Sequence, residues 1–198
     1  SPIDVQRCRG AYGFLAIKYI DYVVKRPNFY ELLFILLEIA KTKGETLIYI
    51  GKVDAIYRVY NWIMYNFPEL NGMVGMYHSR MDPDIKEAEK EKLIILSTIK
   101  SCGAATDIKG LQLTINLANP FSSNVIARQT LGRTRDKGTM YIDVVDTGFA
   151  TLRGYYKHKQ GIFSKYALDF RDVILRKDML HEKYMQMFAN KMEWYNKL

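Results

Sequence analysis

The stretch Thr46-Leu-Ile-Tyr-Ile50 decides the fold class of this chain. It is a short, continuously apolar run, which is typical of a β-strand buried on both faces of a sheet. Gly51 and Lys52 follow it, and the next apolar side chains recur at helical spacing, which predicts a helix over about residues 53–66. A buried strand that leads at once into a helix is typical of a sheet with parallel strands.

The same pattern repeats along the chain. Four more apolar runs predict strands at residues 73–77, 93–97, 111–117 and 140–145. Further helices are predicted at residues 28–43, 83–91 and 122–131. Asn28, with Glu31 three residues later, is the predicted N-cap of the first, and Asp82 is that of the second. Because strands alternate with helices, we expect an α/β fold, a parallel β-sheet flanked by helices on both faces.

Composition divides the chain into three parts. Residues 1–27 are expected to be a linker, residues 28–150 the α/β domain, and residues 151–198 a helical extension with a helix over residues 171–198. The extension holds ten basic and five acidic side chains, so it carries more than half of the net charge of +8. Its basic side chains alternate with aromatic ones, a pattern that can neutralise phosphates and stack on bases. The alternative is a solvated basic helix whose aromatic side chains pack on the core.

The bulk composition excludes several classes of protein. Hydrophobic residues make up 48% of the 198 residues, which is enough for a core, yet no apolar run reaches the roughly 18–20 residues of a membrane span. The polar first residues do not predict a secretory signal peptide. Cys8 and Cys102 have neither metal-ligand spacing nor a disulfide framework, which fits a reducing compartment. We therefore expect a cytoplasmic protein with no membrane partner.

A second informative stretch is Gln129-Thr-Leu-Gly-Arg-Thr-Arg135, between a predicted helix and the last predicted strand. It places an amide, a glycine and a guanidinium at fixed offsets on the edge of the α/β layer. A guanidinium is permanently charged and can stabilise charge on a transferring phosphoryl group. Glycine lets the backbone come close to a ligand. The alternative is a helix end that carries Arg near Gly without a function.

Three polar loops follow predicted strands. They are Gly51-Lys52, Tyr77-His78-Ser79-Arg80 and the long loop over residues 97–107, which is rich in small and hydroxylated residues. In open α/β sheets ligands bind in loops at the carboxyl ends of the strands. Loops of small residues can also present backbone N–H groups to phosphates. We therefore expect the three loops to share one ligand-binding edge, although Lys52 can equally be a plain solvated lysine.

These segments, in this order, resemble the second RecA-like lobe of superfamily-two helicases. Residues 44–50 with the following helix resemble motif IV, residues 97–111 resemble motif V, and residues 129–135 resemble motif VI, whose usual form is Q-x-x-G-R-x-x-R. The resemblance covers roughly residues 28–150. Motifs V and VI, and the tail rich in Tyr and Lys, are most similar to phage recombination-repair helicases of the UvsW kind. If the protein is phage-encoded, as this resemblance implies, we expect it in the host cytoplasm.

The resemblance implies a role for individual residues. Gln129 and Arg133 would face ATP, with Arg133 as the arginine finger. Further residues at the nucleotide would be Gly132, Arg135, Asp107 and Gly103. The predicted nucleic-acid contacts are Lys52, Thr98, Ser79, Lys100, Lys157 and Lys159. Asp107 would link the nucleotide cleft to the loop that binds the strand; alternatively, it caps a short turn.

The chain departs from the family pattern at two places. Asp136 stands where the second motif VI arginine is usual, so either Arg135 takes that role or the second cation is missing. Motif V has one extra residue, with Ala105 where glycine is common and Gly103 nearby. His78, His158 and His181 have no spacing that indicates a metal site or a catalytic triad.

Two motifs of a complete ATPase do not occur in the sequence. It contains no G-x-x-x-x-G-K-[ST] loop and no D-E-x-[HD] box, so we expect ATP and Mg²⁺ to be held mainly by an N-terminal RecA-like lobe. The sequence thus predicts the second motor lobe of an ATP-dependent DNA helicase or translocase acting in recombination, repair or the remodelling of branched DNA. The chain alone should be inactive. The alternatives are a non-catalytic nucleic-acid-binding module and the lobe of an RNA helicase.

Overall fold

The computed structural model of the chain describes residues 9–10, 13–14, 16–102, 108–121 and 139–197. Its strands are β1 (Arg9–Gly10), β2 (Gly13–Phe14), β3 (Thr46–Ile50), β4 (Val74–Tyr77), β5 (Ile94–Ser97), β6 (Leu113–Ala118) and β7 (Met140–Asp143). Its α-helices are α1 (Ala16–Val23), α2 (Pro27–Lys43), α3 (Val53–Asn66), α4 (Pro83–Glu89), α5 (Ile99–Cys102), α6 (Ala150–Tyr166) and α7 (Lys177–Asn196). A short 3₁₀ helix spans Pro68–Leu70.

Five of these strands form one sheet in the order β4-β5-β3-β6-β7. Every neighbouring pair in it is parallel. β3 is the central strand, paired with β5 on one side and β6 on the other. β1 and β2 form a separate antiparallel pair. The predicted α/β fold with a parallel sheet is therefore confirmed.

The central strand is buried on both faces because its side chains alternate between two apolar clusters. Ile48 and Ile50 pack in the larger cluster, together with side chains of α1, α2 and α3. Leu47 and Tyr49 point to the other face, where they pack with Tyr77, Ile95, Ile108 and Leu111. This is the burial that the continuous apolar run of β3 predicted.

Two predicted helix starts are wrong. α2 begins at Pro27 with Arg26 as N-cap, so Asn28 lies inside the first turn and does not cap it. Proline is well placed at the first helical position because the N–H it lacks would have no intrahelical partner there. The last helix begins at Lys177 and not at residue 171, because residues 167–176 are not helical.

The remaining predicted boundaries hold to within a few residues where the structure describes them. β3 and α3 have the predicted bounds, and Asp82 caps α4 by accepting a hydrogen bond from the N–H of Asp84 at 2.9 Å. The helix predicted over residues 122–131 lies outside the described residues. Among the helices that are described, none is both long enough and apolar enough to cross a membrane.

The C-terminal helix α7 is anchored to the domain through Lys191. The Lys191 ammonium lies 3.0 Å from Glu69 Oε1, donates to the Asn66 carbonyl at 2.8 Å, and sits 3.3 Å from the centre of the Phe67 ring. Burial lowers the pKa of Lys191, although the Glu69 carboxylate opposes this shift. Tyr195 donates a hydrogen bond to the same carboxylate. Part of the predicted extension is thus packed onto the α/β core.

Phe34 joins α2 to both α7 and the end of α3, which makes it a test of this packing. Its ring centre lies 5.0 Å from that of Phe67 and 5.3 Å from that of Tyr184, and the side chain is fully buried. Phe34→Ala leaves a cavity in the core, so we expect it to lower the free energy of unfolding by about 3–5 kcal/mol. Urea denaturation of the 198-residue chain measures this loss. Tyr65→Ala, at a side chain that is 87% exposed, is the matched control and should change stability by no more than about 0.5 kcal/mol. Equal effects of the two variants would contradict the packing described.

Candidate nucleic-acid interface at the carboxyl edge of the sheet

All five parallel strands end at the same edge of the sheet. Along this edge, the loop that starts at His78 follows β4, Thr98 follows β5, Gly51 follows β3, and Asn119 follows β6. Three of these loops are the polar loops singled out in the sequence. The structure therefore brings Ser79, Thr98, Lys100 and Lys52 to one edge, as predicted.

The loops after β4 and β5 are tied to each other. The buried hydroxyl of Ser97 donates to the Tyr77 carbonyl at 2.7 Å, which joins the ends of the two strands. Thr98 Oγ1 accepts a hydrogen bond from the N–H of Ser101 at 3.1 Å, so Thr98 caps the short helix α5. Lys100, inside that helix, is exposed and makes no salt bridge to any residue that the structure describes. No described carboxylate therefore neutralises its charge.

His78 fixes the conformation of the loop that carries Ser79. Its side chain is fully buried, and Nδ1 accepts a hydrogen bond from the N–H of Arg80 at 3.2 Å. An accepting Nδ1 requires the unprotonated form of that nitrogen. Burial, together with the positive charges of Arg80 and Lys86, lowers the pKa of His78 below its usual value. Ser79 and Arg80 are exposed beyond it, with Arg80 held 3.0 Å from Asp54.

Lys52 is engaged within the protein. Its ammonium lies 2.7 Å from Oδ1 and 2.9 Å from Oδ2 of Asp21, on helix α1. Asp21 is 31 residues away in the sequence, and no short-range pattern pointed to this partner. The lysine predicted to touch a nucleic-acid backbone is therefore neutralised by a carboxylate.

Lys159 lies in the interior, which corrects the prediction that it contacts nucleic acid. It is 3% exposed, and its ammonium lies 2.8 Å from Asp143 Oδ2 at the end of β7. Asp143 Oδ1 also accepts a hydrogen bond from Asn116 Nδ2 at 2.7 Å. The ammonium sits 4.3 Å from the centre of the Phe121 ring. Lys159 thus joins α6 to the carboxyl ends of β6 and β7 and cannot reach a ligand at the surface.

Lys157 has the opposite environment from Lys159. Two residues along an α-helix correspond to a rotation of about 200°, so the two side chains leave α6 on opposite sides. Lys157 is exposed and makes no salt bridge to a described residue. Because Lys159 points to the ends of β6 and β7, Lys157 leaves α6 on the side that faces solvent.

The predicted nucleotide-facing residues lie outside the described part of the chain. They are Gln129, Gly132, Arg133, Arg135, Asp107 and Gly103. Their roles stay predictions. Within the described residues, no group of three or more His, Cys, Asp or Glu side chains is placed to hold a metal ion.

Sequence reasoning did not find Asp21, Asn116 or Asp143. The only signal for Asp143 was a carboxylate in an otherwise apolar strand, a position where a buried charge needs a partner. Asp21 lay in the part of the chain expected to be a linker. Helix α1 instead packs Tyr19, Ile20 and Val23 into the main apolar cluster.

Solved structures of other proteins share this architecture. The chain superposes on the crystal structure of T4 UvsW with a TM-score of 0.58 at 11% identity, over 83% of this chain and 37% of that one. It has the RecA-like fold. A second match, the C-terminal part of the Fun30 ATPase domain, has a TM-score of 0.52 at 9% identity, over 83% of this chain and 54% of that one. The chain spans well under two thirds of either protein. No protein-family model and no curated protein matches the sequence.

The two lysines of α6 give a test of their different environments. Lys159→Met leaves the buried Asp143 carboxylate without its cation, so we expect a loss of about 3–5 kcal/mol in the free energy of unfolding. Lys157→Met, the matched control, removes an exposed charge and should change it by no more than about 0.5 kcal/mol. Urea denaturation compares them. Replacing both partners, Lys159→Met with Asp143→Leu, should cost less than Lys159→Met alone, because no unpaired charge stays buried. Equal, small effects at positions 157 and 159 would show that Lys159 is at the surface.

The buried imidazole of His78 predicts a pH dependence of stability. Because the pKa of His78 is lower in the folded chain than the value of about 6.5 in the unfolded chain, the unfolded chain binds more protons between these two values. Stability is therefore complete above about pH 6.5 and falls as the pH drops through the folded pKa. The free energy of unfolding, measured from about pH 7 to 5.5, should fall more in the wild type than in His78→Asn, whose amide oxygen can still accept from Arg80. Parallel curves for the two proteins would contradict the assignment.

Proposed function

We propose that this chain is the second motor lobe of an ATP-dependent DNA helicase or translocase. The observation that carries the proposal is the arrangement of the carboxyl edge. Parallel pairing of β4, β5 and β3 puts the loops that resemble motifs IV and V, with Ser79 beside them, next to one another in a chain with the RecA-like fold. In such sheets this edge is where ligands bind.

Electrostatics supports a polyanionic ligand at this edge. Lys100 is exposed just after β5 and makes no salt bridge to a described residue, and Ser79 exposes a hydroxyl after the neighbouring strand β4. Lys157 is exposed on α6, on the β7 side of the sheet. Residues 151–198 add a surplus of positive charge. Such a surface binds a phosphate backbone by releasing counterions, with an affinity that falls steeply as salt is added. We propose DNA, branched or duplex, as this ligand.

The nucleotide side of the proposal rests on the resemblance of residues 129–135 to motif VI. In this proposal Arg133 is the arginine finger and Gln129 faces the same phosphates, while Gly132, Arg135, Asp107 and Gly103 complete this side of the cleft. An N-terminal RecA-like lobe supplies the phosphate-binding loop and the Mg²⁺ ligands, since the sequence holds neither motif. The chain alone is then inactive, and closure of the two lobes around ATP brings Arg133 to the γ-phosphate.

The proposed division of the chain follows from these roles. In this proposal residues 28–150 form the lobe, residues 151–198 form an extension that adds positive charge, and residues 1–27 lead to the N-terminal lobe, with α1 of that segment packed on the apolar cluster of the lobe. Opening and closing of the two lobes around ATP would move the bound strand stepwise, because both lobes grip it.

Arg133→Ala tests the proposal in a protein that joins this chain to its N-terminal RecA-like lobe. An arginine finger contributes about 10³-fold or more to phosphoryl transfer, so we expect a loss of that size in DNA-stimulated ATP hydrolysis. Affinity for DNA in the absence of nucleotide should not change. Arg58→Ala, at an exposed arginine on α3, is the matched control and should keep the wild-type rate. A change below about threefold for Arg133→Ala would contradict the assigned role, since a finger accounts for far more.

A further inference from the structure

We infer that Asp21 masks Lys52, so that this lysine reaches a nucleic-acid phosphate only when the Asp21–Lys52 contact opens. The inference rests on the proposed function, because it concerns the regulation of the same edge. Asp21 would limit the predicted contact of Lys52 with a nucleic-acid backbone, and α1, which carries Asp21, would thereby tune the affinity for nucleic acid.

The Asp21–Lys52 contact lies at the point of the sheet where the strand order reverses. After β3 the chain crosses to β4 on one side of the sheet, and after β6 it continues to β7 on the other side. The carboxyl ends of β3 and β6 therefore form the switch point, the place where open α/β sheets bind their ligands. Gly51 at the end of β3 donates its N–H to the Ala118 carbonyl at the end of β6, at 2.8 Å. Lys52 is the next residue.

Helix α1 lies directly on this switch point. A Cβ atom at Gly51 would come within 2.7 Å of Ile20 Cδ1 and 3.0 Å of Asn119 Oδ1, so the absence of a side chain at Gly51 leaves room for the Ile20 side chain of α1. Ile20 is 2% exposed and Tyr19 5%, and both belong to the main apolar cluster. Asp21 follows them in the helix, so the packing of its neighbours places its carboxylate at the switch point.

The Asp21 carboxylate stands in for the anion that Lys52 would otherwise bind. Both carboxylate oxygens lie on the ammonium, at 2.7 Å and 2.9 Å, as two phosphate oxygens could. The side chains of Lys52 and Asp21 are 29% and 46% exposed. An ion pair as exposed as this contributes little to stability, so a phosphate can compete with it. While the pair is closed, Lys52 adds no net positive charge to the edge.

Asp21→Asn removes the competing charge and leaves the shape of the side chain. The measurement is the affinity of the 198-residue chain for a short DNA duplex across a series of salt concentrations. Each additional neutralised phosphate makes the slope of log affinity against log salt more negative by about 0.9. We expect this change for Asp21→Asn, with a gain of roughly 2- to 5-fold in affinity at low salt. Asp21→Ser is the second variant, in case the amide of asparagine bonds to Lys52.

The gain must depend on Lys52. Lys52→Met in the Asp21→Asn background should remove the added slope. In the wild-type background the same substitution should lower the affinity for the duplex by less than half as much. Glu193→Gln is the matched control, since it also removes one carboxylate from an exposed pair, with Lys197 at 3.2 Å. That pair lies at the C-terminal end of α7. Lys191 of α7 contacts Asn66, at the end of α3 opposite to Lys52. Because α3 has 14 residues, these two ends are about 20 Å apart. Glu193→Gln should therefore not change the slope.

The outcomes separate the inference from the proposed function. If the wild type binds duplex and Asp21→Asn and Asp21→Ser bind with the same slope, masking is overturned and the proposed function stands. A gain that survives Lys52→Met, or an equal gain from Glu193→Gln, overturns masking as well. If neither the wild type nor the Asp21 variants bind nucleic acid, both the masking and the proposed function are overturned.

Discussion

The parallel pairing of β3 with β5 on one side and with β6 on the other is the constraint on which the rest of the structure depends. A central strand in this position has no face in contact with water, and all five of its residues are buried. A shift by one residue would exchange the side chains of its two faces. The parallel orientation puts the loops that follow the strands at one edge, and the strand order decides which of these loops are neighbours.

Charge at this edge is limited by partners within the chain. Lys52 is paired with Asp21 and Lys159 with Asp143, although the two pairs differ in burial. The Lys159 pair is enclosed and structural. The Lys52 pair is partly exposed, and only such a pair can exchange its carboxylate for a ligand. Lys100 and Lys157 are both exposed and make no salt bridge to a described residue. The described lysines thus differ in environment: Lys100 is exposed, Lys52 is in a partly exposed ion pair, and Lys159 is in a buried one.

The sequence predicted the elements whose signals are local. β3 was predicted correctly because burial on both faces leaves a continuous apolar run, and α4 because Asp82 and Pro83 mark its start. The start of α2 was misplaced because Pro27 and Asn28 both begin helices well, and local pattern does not rank them. The start of α7 was misplaced because residues 171–176 contain no glycine or proline that separates them from the helix.

Lys159 and Lys52 were placed at the surface because lysine is usually exposed. Their carboxylate partners are 16 and 31 residues away, and only the folded chain brings them together.

The proposal that DNA binds at the carboxyl edge of the sheet is tested most directly by locating the ligand. Amide chemical shifts of the 198-residue chain, recorded by NMR while a short DNA duplex is added, report which residues the duplex touches. The account predicts that the largest changes fall on Ser79, Thr98 and Lys100 at the carboxyl edge, while Glu45 and Gln112, at the amino ends of β3 and β6, keep their shifts. Changes confined to the amino edge, or spread equally over both edges, would contradict it.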